Sequence, residues 1–554
     1  MHEIEPTYRF RAPFGKPEDK GAKPPNHRRA AESGMLIERD LAVRLRDGVE
    51  IYVDIYRPVD ETPVPPIIAW GPYGKHGHTQ YSRQFPKAGV TDDMISRYTA
   101  FEAPDPQYWV PRGYAVINVD PRGTWYSQGR ATYLSPEEAR DFYDVIEWAG
   151  AQPWSNGKVG LSGVSYLTSS QWRVAELSPP HLAAINPWEG WTDTYREVVR
   201  HGGIPETSFW PYLPTRWGNG TTQVEDLPTE TAEHPYFDAF WKSKAADFAK
   251  IRVPAFIVAS WTDQGLHTRG TLEGFKGIAS ERKWLLVHGR KKWAHYYDPE
   301  MVRLQQAFFD HVLKGVSNEV ADWPPVRLEV RERYYVGRMR SEKEWPIART
   351  RYTPLYLDAK SAVMRDQPVT EESQCRFDTS RGDAKGGHAE FVYAFDAAAD
   401  IIGHMKLKVW MSTDAGNDMD IFVAVQKLDA SGEIVPFAYY AQFEDGPVAL
   451  GWLRASHREL DRQKSTAFQP VLAHRREVKL KDREIVPLEI EIWPSGTRFE
   501  AGESLRLVIQ GSDIYDYPKP SVYARHEDTV NKGDHTVYTG GRYDSHLLAP
   551  VIPD

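Results

Sequence analysis

Short apolar runs that end abruptly in polar or glycine-rich residues constrain this chain more than any other feature. They are PPIIAW (65–70), YAVINVD (114–120), KVGLSG (158–163), VPAFIVAS (253–260) and KWLLVHG (283–289). None alternates apolar with polar, so each strand has both faces buried. Strands of that kind, separated by helical patterns, predict a mostly parallel sheet covered on both faces, an α/β fold. One intervening helix has a well-marked start: Ser135 as N-cap, Pro136 at the first helical position and Glu138 three residues after the cap, the signature of a capping box. Phe142, Val145, Ile146 and Ala149 then recur at helical spacing. Further helices are predicted from Tyr166 to Glu176 and from about Pro299 to Lys314. Ahead of the parallel strands, Leu41–Leu45 and Val49–Ile55 flank Arg46-Asp47-Gly48 and read as a hairpin.

At 554 residues the chain exceeds what one hydrophobic core supports, and its pattern changes along its length. Residues 1–34 are rich in Pro, Lys, Arg and Gly and read as an extended arm laid over the surface or over a neighbouring subunit, which leaves a homo-oligomer open. Residues 35–189 and 250–316 carry the α/β unit. Residues 190–249, with Trp191, Trp210, Tyr212, Trp217, Phe240 and Trp241 among several prolines, interrupt it and read as a helical lid inserted over the sheet. From 317 to 554 helical signals nearly vanish, and VRLEV, HMKLKVWMS, DIFVAVQKL, LEIEIWP and SLRLVIQGS alternate as strands of an all-β sandwich of jelly-roll type.

A net charge of −9 argues against nucleic acid or an anionic membrane as the main partner, since both select a basic footprint. No stretch approaches the roughly 20 apolar residues of a spanning helix. The first residues lack the apolar core of a secretory signal. The single cysteine, Cys375, excludes an internal disulfide and a cysteine-rich metal site. A cytoplasmic location is expected.

Gly163-Val164-Ser165-Tyr166 lies where a buried strand turns directly into a helix, the position at which a serine hydroxyl is held above the strand ends of such a sheet. Asp263 follows the strand 253–260, and His295 follows the strand 283–289. Ser, Asp, His in that chain order is the arrangement this fold uses for nucleophilic catalysis: the hydroxyl needs a base, and the imidazole needs a carboxylate to fix its tautomer. Singly, Ser165 reads equally well as a helix N-cap, Asp263 as a turn residue and His295 as a surface histidine; the ordered coincidence favours the triad. Ser162 and His288 are the rival nucleophile and base. A developing oxyanion would be met by the N–H of Tyr166 and by a donor on the loop GPYGKHG, where Tyr73 is either a phenol donor or a packed aromatic. His76 and His78, two apart on that loop, make a weak metal signal with no supporting ligand set, and neither metal nor cofactor is expected.

QPWSNGKVGLSGVSY (152–166), INVDPRGTWYSQG (117–129), the strand-GPY loop, the Asp-bearing and W-x-H-bearing strand ends and the later sandwich resemble the cocaine esterase / X-prolyl dipeptidyl peptidase family from about Met35 onward. The resemblance implies an α/β-hydrolase domain with a helical insertion and a C-terminal jelly roll. It implies a tyrosine hydroxyl in the oxyanion hole, at Tyr73, and accommodates Leu167 two residues after the serine. Where the family has G-P-W-x-H, this chain reads HGRKKWAH, with Lys291 and Lys292 intruding.

Family members include esterases, dipeptidyl peptidases and amidases. Glu189, Asp193 and Glu197 could hold the free amine a dipeptidyl peptidase requires, but solvated lid charges explain them as well. Trp188, Trp191 and Trp210 suggest instead an aromatic acyl pocket, and so a small-molecule ester or amide substrate. An X-Pro dipeptidyl peptidase or an amino-acid ester hydrolase or acylase is the alternative. A catalytically degenerate binding protein is a third reading.

Overall fold

The computed structural model describes residues 6–76, 80–382, 386–519 and 521–553. Its central sheet runs, from one edge to the other, Arg28–Glu32, Met35–Arg44, Glu50–Pro58, Ala115–Asp120, Pro66–Trp70, Val159–Val164, Leu182–Trp188, Ala255–Ser260, Lys283–His288, Val326–Arg333 and Val336–Glu342. From Ala115–Asp120 through Val326–Arg333 every pairing is parallel, and the strands flanking that stretch are antiparallel. Adjacent residues serve opposite faces, as the pleat requires. Ile68 and Ile257 join a core with Phe142, Trp172, Leu272 and Phe275, whereas Ile67 and Phe256 join one with Phe308 and Phe309. The helices Pro136–Gly150, Tyr166–Ala175 and Thr268–Gly277 therefore cover one face and Pro299–Leu313 the other. Each fully buried aliphatic or aromatic side chain contributes about 1.5–3 kcal/mol, an upper bound because the unfolded chain already hides some surface.

The helix at Pro136 begins as its sequence predicts, with the Ser135 hydroxyl accepting from the Glu138 N–H at 3.0 Å. Glu138 does not return the bond to its cap. Its buried carboxylate instead accepts from the Leu134 N–H, from the Trp70 indole at 2.9 Å and from the Tyr166 hydroxyl at 2.8 Å, which couples the helix start to the turn at Ser165.

Two strands sit differently from expectation. Leu182–Trp188 is a central strand that its sequence, with Asn186 and Pro187 inside it, conceals; the Asn186 amide is satisfied by donating to the Phe256 carbonyl at 2.6 Å. VRLEV belongs to the central sheet, not to the sandwich, because Val326–Leu328 pairs in parallel with Leu285–Val287. The α/β sheet thus runs past residue 316, and Arg331 against Thr497 joins it to the later strands. The amino-terminal arm lies on its own chain: Phe10–Arg11 pairs with Val224–Glu225 of the insertion, and Arg28–Glu32 forms the edge of the central sheet.

The C-terminal strands form two antiparallel layers. One runs Val486–Phe499, Ala399–Thr413, then Asp534–Thr539 and His546–Ile552; the other runs His388–Ala394, Ser504–Gln510, Asp420–Leu428, Ala449–Arg454. Leu407, Val409, Ile421, Val423, Leu488 and Leu507 fill the space between them. The insertion after Trp188 holds short helices, Phe209–Trp217, Leu227–Glu233 and Ala239–Ser243. A separate, aromatic-rich core unites these helices, the start of the helix at Tyr166 and the C-terminal residues Tyr440, Trp452 and Tyr523. Among the described residues no helix is long and apolar enough to cross a membrane.

Candidate active site

Ser165 occupies the sharp turn between the strand Val159–Val164 and the helix Tyr166–Ala175, with φ 62° and ψ −114°. A non-glycine residue there costs on the order of 1–3 kcal/mol and persists only where its surroundings enforce it. Here the Ser165 N–H donates to the carbonyls of Trp188 at 3.0 Å and Glu189 at 3.1 Å, and the preceding Val164 N–H donates to the Glu102 carbonyl at 3.1 Å. Gly163, at φ 147°, leaves room for the Leu167 side chain, which a Cβ at 163 would meet at 2.5 Å and a Cβ at Gly71 at 2.6 Å. Leu167 thus fills the space between two glycines.

The Ser165 hydroxyl donates to Nε2 of His267 at 3.1 Å. Nδ1 of the same ring bonds the Asp263 carboxylate, which places its proton on Nδ1 and leaves Nε2 as the acceptor. His267 is four residues after Asp263, at the N-cap of the helix Thr268–Gly277, and is wholly buried. Trp191 stacks on its imidazole at 5.7 Å and 11°. Lys292 completes the cluster, with Nζ 3.0 Å from Asp263 Oδ2 and 3.3 Å from His267 Nδ1. Burial alone would raise the Asp263 pKa, but Lys292 and His267 hold it well below the ordinary carboxylate range. Burial lowers that of His267, and Lys292 lowers it further against the pull of Asp263, so the imidazole is kept neutral.

The structure therefore brings Ser165 and Asp263 together but joins them through His267, not His295. One turn into the short helix Lys292–Tyr296, the His295 ring packs against His288 at 4.1 Å and Trp188 at 6.1 Å. Burial, then His288 and Arg290, push its pKa well below that of a free histidine. The chain leaving strand Lys283–His288 offers Lys292 to Asp263, and the imidazole position is already filled from the Asp263 loop. His288 Nε2 lies 3.0 Å from Glu189 Oε1, and its Nδ1 accepts from the Arg290 N–H at 3.1 Å. Ser162 hydrogen-bonds Asn186 and Tyr296 at 3.2 and 3.0 Å, a structural role.

Ser165 opens into a cavity whose walls include Tyr73, Phe101, Glu102, Phe209, Tyr212, Leu213, Lys292, Trp293 and Tyr440. Tyr73 lies in it, its ring edge-on to Phe101 at 4.8 Å and to Tyr166 at 6.3 Å. Burial pushes its phenol pKa well above 10, so its O–H stays a donor. Tyr166, the first residue of its helix, has an N–H with no intrahelical acceptor.

Trp188, Trp191 and Trp210 do not line this cavity. Trp188 is a fully buried strand end, Trp191 covers His267, and Trp210 packs on Trp217 and Trp241 while its indole donates to Thr231 at 2.9 Å. The wall comes instead from the next residues of the same insertion helix and from Phe101, Trp293 and Tyr440. The acidic candidates are equally occupied elsewhere. Glu189 accepts from the Ser260 hydroxyl at 2.5 Å, Asp193 pairs with Arg196 at 2.6 Å and Glu197 with Arg269 at 2.7 Å. His76 sits with Asp40 and Asp54 in a metal-like grouping, but the Lys75 ammonium, 2.5 Å from Asp40 and 3.1 Å from Asp54, neutralises it. His78 lies outside the described residues.

Residues 47–215 and 215–297 match the model of the X-Pro dipeptidyl-peptidase (S15 family), and residues 318–548 that of the X-Pro dipeptidyl-peptidase C-terminal non-catalytic domain. A crystal structure of a CocE/NonD family hydrolase from Staphylococcus aureus is 42% identical, superposes with a TM-score of 0.91 and covers 96% of this chain and 98% of that one. Cocaine esterase of a Rhodococcus strain is 27% identical over 59% of this chain; the match spans 63% of that relative, short of two thirds of its length. An α-amino acid ester hydrolase shares the fold, with a TM-score of 0.70 at 18% identity, over 94% of this chain and 97% of that one.

Proposed function

This chain belongs to the CocE/NonD family of hydrolases, and from that premise we propose that it is a serine hydrolase that cleaves an ester or amide of a small, apolar or aromatic acyl compound through an acyl-enzyme on Ser165. The observation that carries the reading is the continuous relay Ser165–His267–Asp263, with its 3.1 Å hydroxyl–imidazole contact opening into an aromatic cavity. Ser165 attacks the carbonyl while His267 Nε2 takes the hydroxyl proton and returns it to the leaving group; Asp263 holds the ring and stabilises the imidazolium. The Tyr73 O–H and the Tyr166 N–H receive the oxyanion. Residues 190–249 serve as a lid, and the C-terminal sandwich, read as a jelly roll, closes the far wall through Tyr440. The pairing of Asp193 and Glu197 with arginines favours this substrate class over peptides with a free amine.

The test pairs a fluorophosphonate probe, mapped by mass spectrometry, with rates on aryl esters and on X-Pro-anilides. Modification of Ser165 and turnover of the esters are expected. Rapid anilide hydrolysis with negligible ester hydrolysis would replace this substrate class by the dipeptidyl-peptidase one, and an unlabelled Ser165 would leave only a binding role.

Lys292 adds a pH signature. Its charge lowers the His267 pKa, and the acidic limb of kcat/KM reports that base in the free enzyme. Lys292→Met removes the repulsion, so His267 holds its proton to higher pH. The limb should move upward by roughly one pH unit. A profile unchanged in Lys292→Met would separate the lysine from the base.

A further inference from the structure

Glu102 is a buried acid beside the nucleophile that the relay does not use. It is 2% exposed, lines the same cavity as Ser165 and has a left-handed backbone, φ 62°. That strained backbone is held by the Tyr81 hydroxyl, which accepts from the Glu102 N–H at 3.0 Å, and by the Glu102 carbonyl, which accepts from Val164 one residue before Ser165. The carboxyl group is thereby fixed relative to the reacting hydroxyl. Oε1 accepts from the Trp293 indole at 2.8 Å, while Oε2 has no hydrogen-bond partner among the described residues. An unpaired buried polar atom is destabilising, a cost that a ligand carrying the complementary group relieves.

We propose that Glu102 is a specificity residue that reads a neutral hydroxyl on the acyl group, within two carbons of the scissile carbonyl. The inference rests on the ester- or amide-hydrolase reading above and names its substrate class as hydroxyacyl esters or amides. A neutral group suits this wall for two reasons. Lys292 and Arg216 line the same cavity and repel an ammonium. Burial also raises the Glu102 pKa to about 8, so at neutral pH the side chain is mostly an uncharged acid that both donates and accepts, as a hydroxyl does.

The experiment compares kcat/KM for phenyl esters of 3-phenylpropanoic acid and of its 2-hydroxy, 3-hydroxy and 2-amino derivatives. The enzymes are the wild type, Glu102→Met and Glu102→Gln. The wild type should prefer one hydroxy isomer over the unsubstituted ester by at least about tenfold, because a site built to bond a hydroxyl discriminates strongly against its absence. Glu102→Met should abolish that ratio, and Glu102→Gln, which keeps a donor and an acceptor, should retain most of it. The ratio is internal to each preparation, so partial misfolding does not imitate the result. The inference is overturned if neither hydroxy isomer is preferred or if the ratio survives in Glu102→Met. It is also overturned if the amino ester is best and Glu102→Gln loses as much as Glu102→Met, which would make the side chain an anionic amine site. Failure with Ser165 still labelled by fluorophosphonate overturns this inference alone; an unlabelled Ser165 overturns the hydrolase reading with it.

Discussion

Replacing His267 with Ala is expected to lower kcat on an activated ester by about 10⁴- to 10⁶-fold, the range seen when the base of a serine triad is removed. The same change at His295 should leave kcat within about tenfold. The two residues look alike in sequence and differ in geometry. His267 Nε2 is 3.1 Å from the Ser165 hydroxyl and its other nitrogen is bonded to Asp263, whereas the His295 ring packs at a tilt against His288. Without the imidazole at 267 the hydroxyl has no acceptor for its proton. Lys292 is no substitute, since its ammonium has no lone pair and already faces Asp263. The measurement is single-turnover acylation together with fluorophosphonate labelling, both slowed in His267→Ala and both near normal in His295→Ala. The reverse pattern would return the base to position 295 and require a rearrangement of the loop after strand Lys283–His288.

That contrast marks where sequence reading stops. Ser165 and Asp263 were legible because each follows a strand whose unbroken apolar run identifies it, and a parallel sheet places all such strand ends at one rim. The base was not, because chain order assigns it to the last of those strand ends, and order carries no distance. A usable signal was present: Asp263 and His267 are four apart in the turn that leads into the helix Thr268–Gly277, where the His267 N–H donates to the Asp263 carbonyl at 3.1 Å, a helical spacing that brings two side chains together. The strand Leu182–Trp188 was hidden by its Asn and Pro: the Asn186 amide is satisfied only by a tertiary partner, and Pro187 brings no N–H to a ladder. The lid tryptophans were legible as a cluster but not as its interior. Rings as large as Trp191 and Trp210 are drawn into the aromatic core, which leaves smaller neighbours such as Phe209 and Leu213 to face the cavity. VRLEV alternates like a sandwich strand because it is followed by an antiparallel partner, Val336–Glu342, and only its register against Leu285–Val287 reveals its parallel side.

Tyr73→Phe should lower kcat by about 100- to 1,000-fold and leave KM nearly unchanged, the loss expected of a single oxyanion donor. The substitution removes one oxygen and keeps the ring, so the edge-on contacts with Phe101 and Tyr166 and the shape of the wall persist. A packed aromatic would hardly notice the change. A donor aimed at the developing charge is felt only in the transition state, which is why kcat and kcat/KM should fall together. Because the phenol remains protonated far above neutrality, the deficit should be the same at pH 6 and pH 9, unlike a change that acts through His267. The remaining donor, the Tyr166 N–H, belongs to the backbone and survives the substitution, so residual activity should stay well above that of His267→Ala. A rise in KM with kcat preserved would instead assign Tyr73 to ground-state packing of the acyl group, and the oxyanion would then need a second donor elsewhere on the cavity wall.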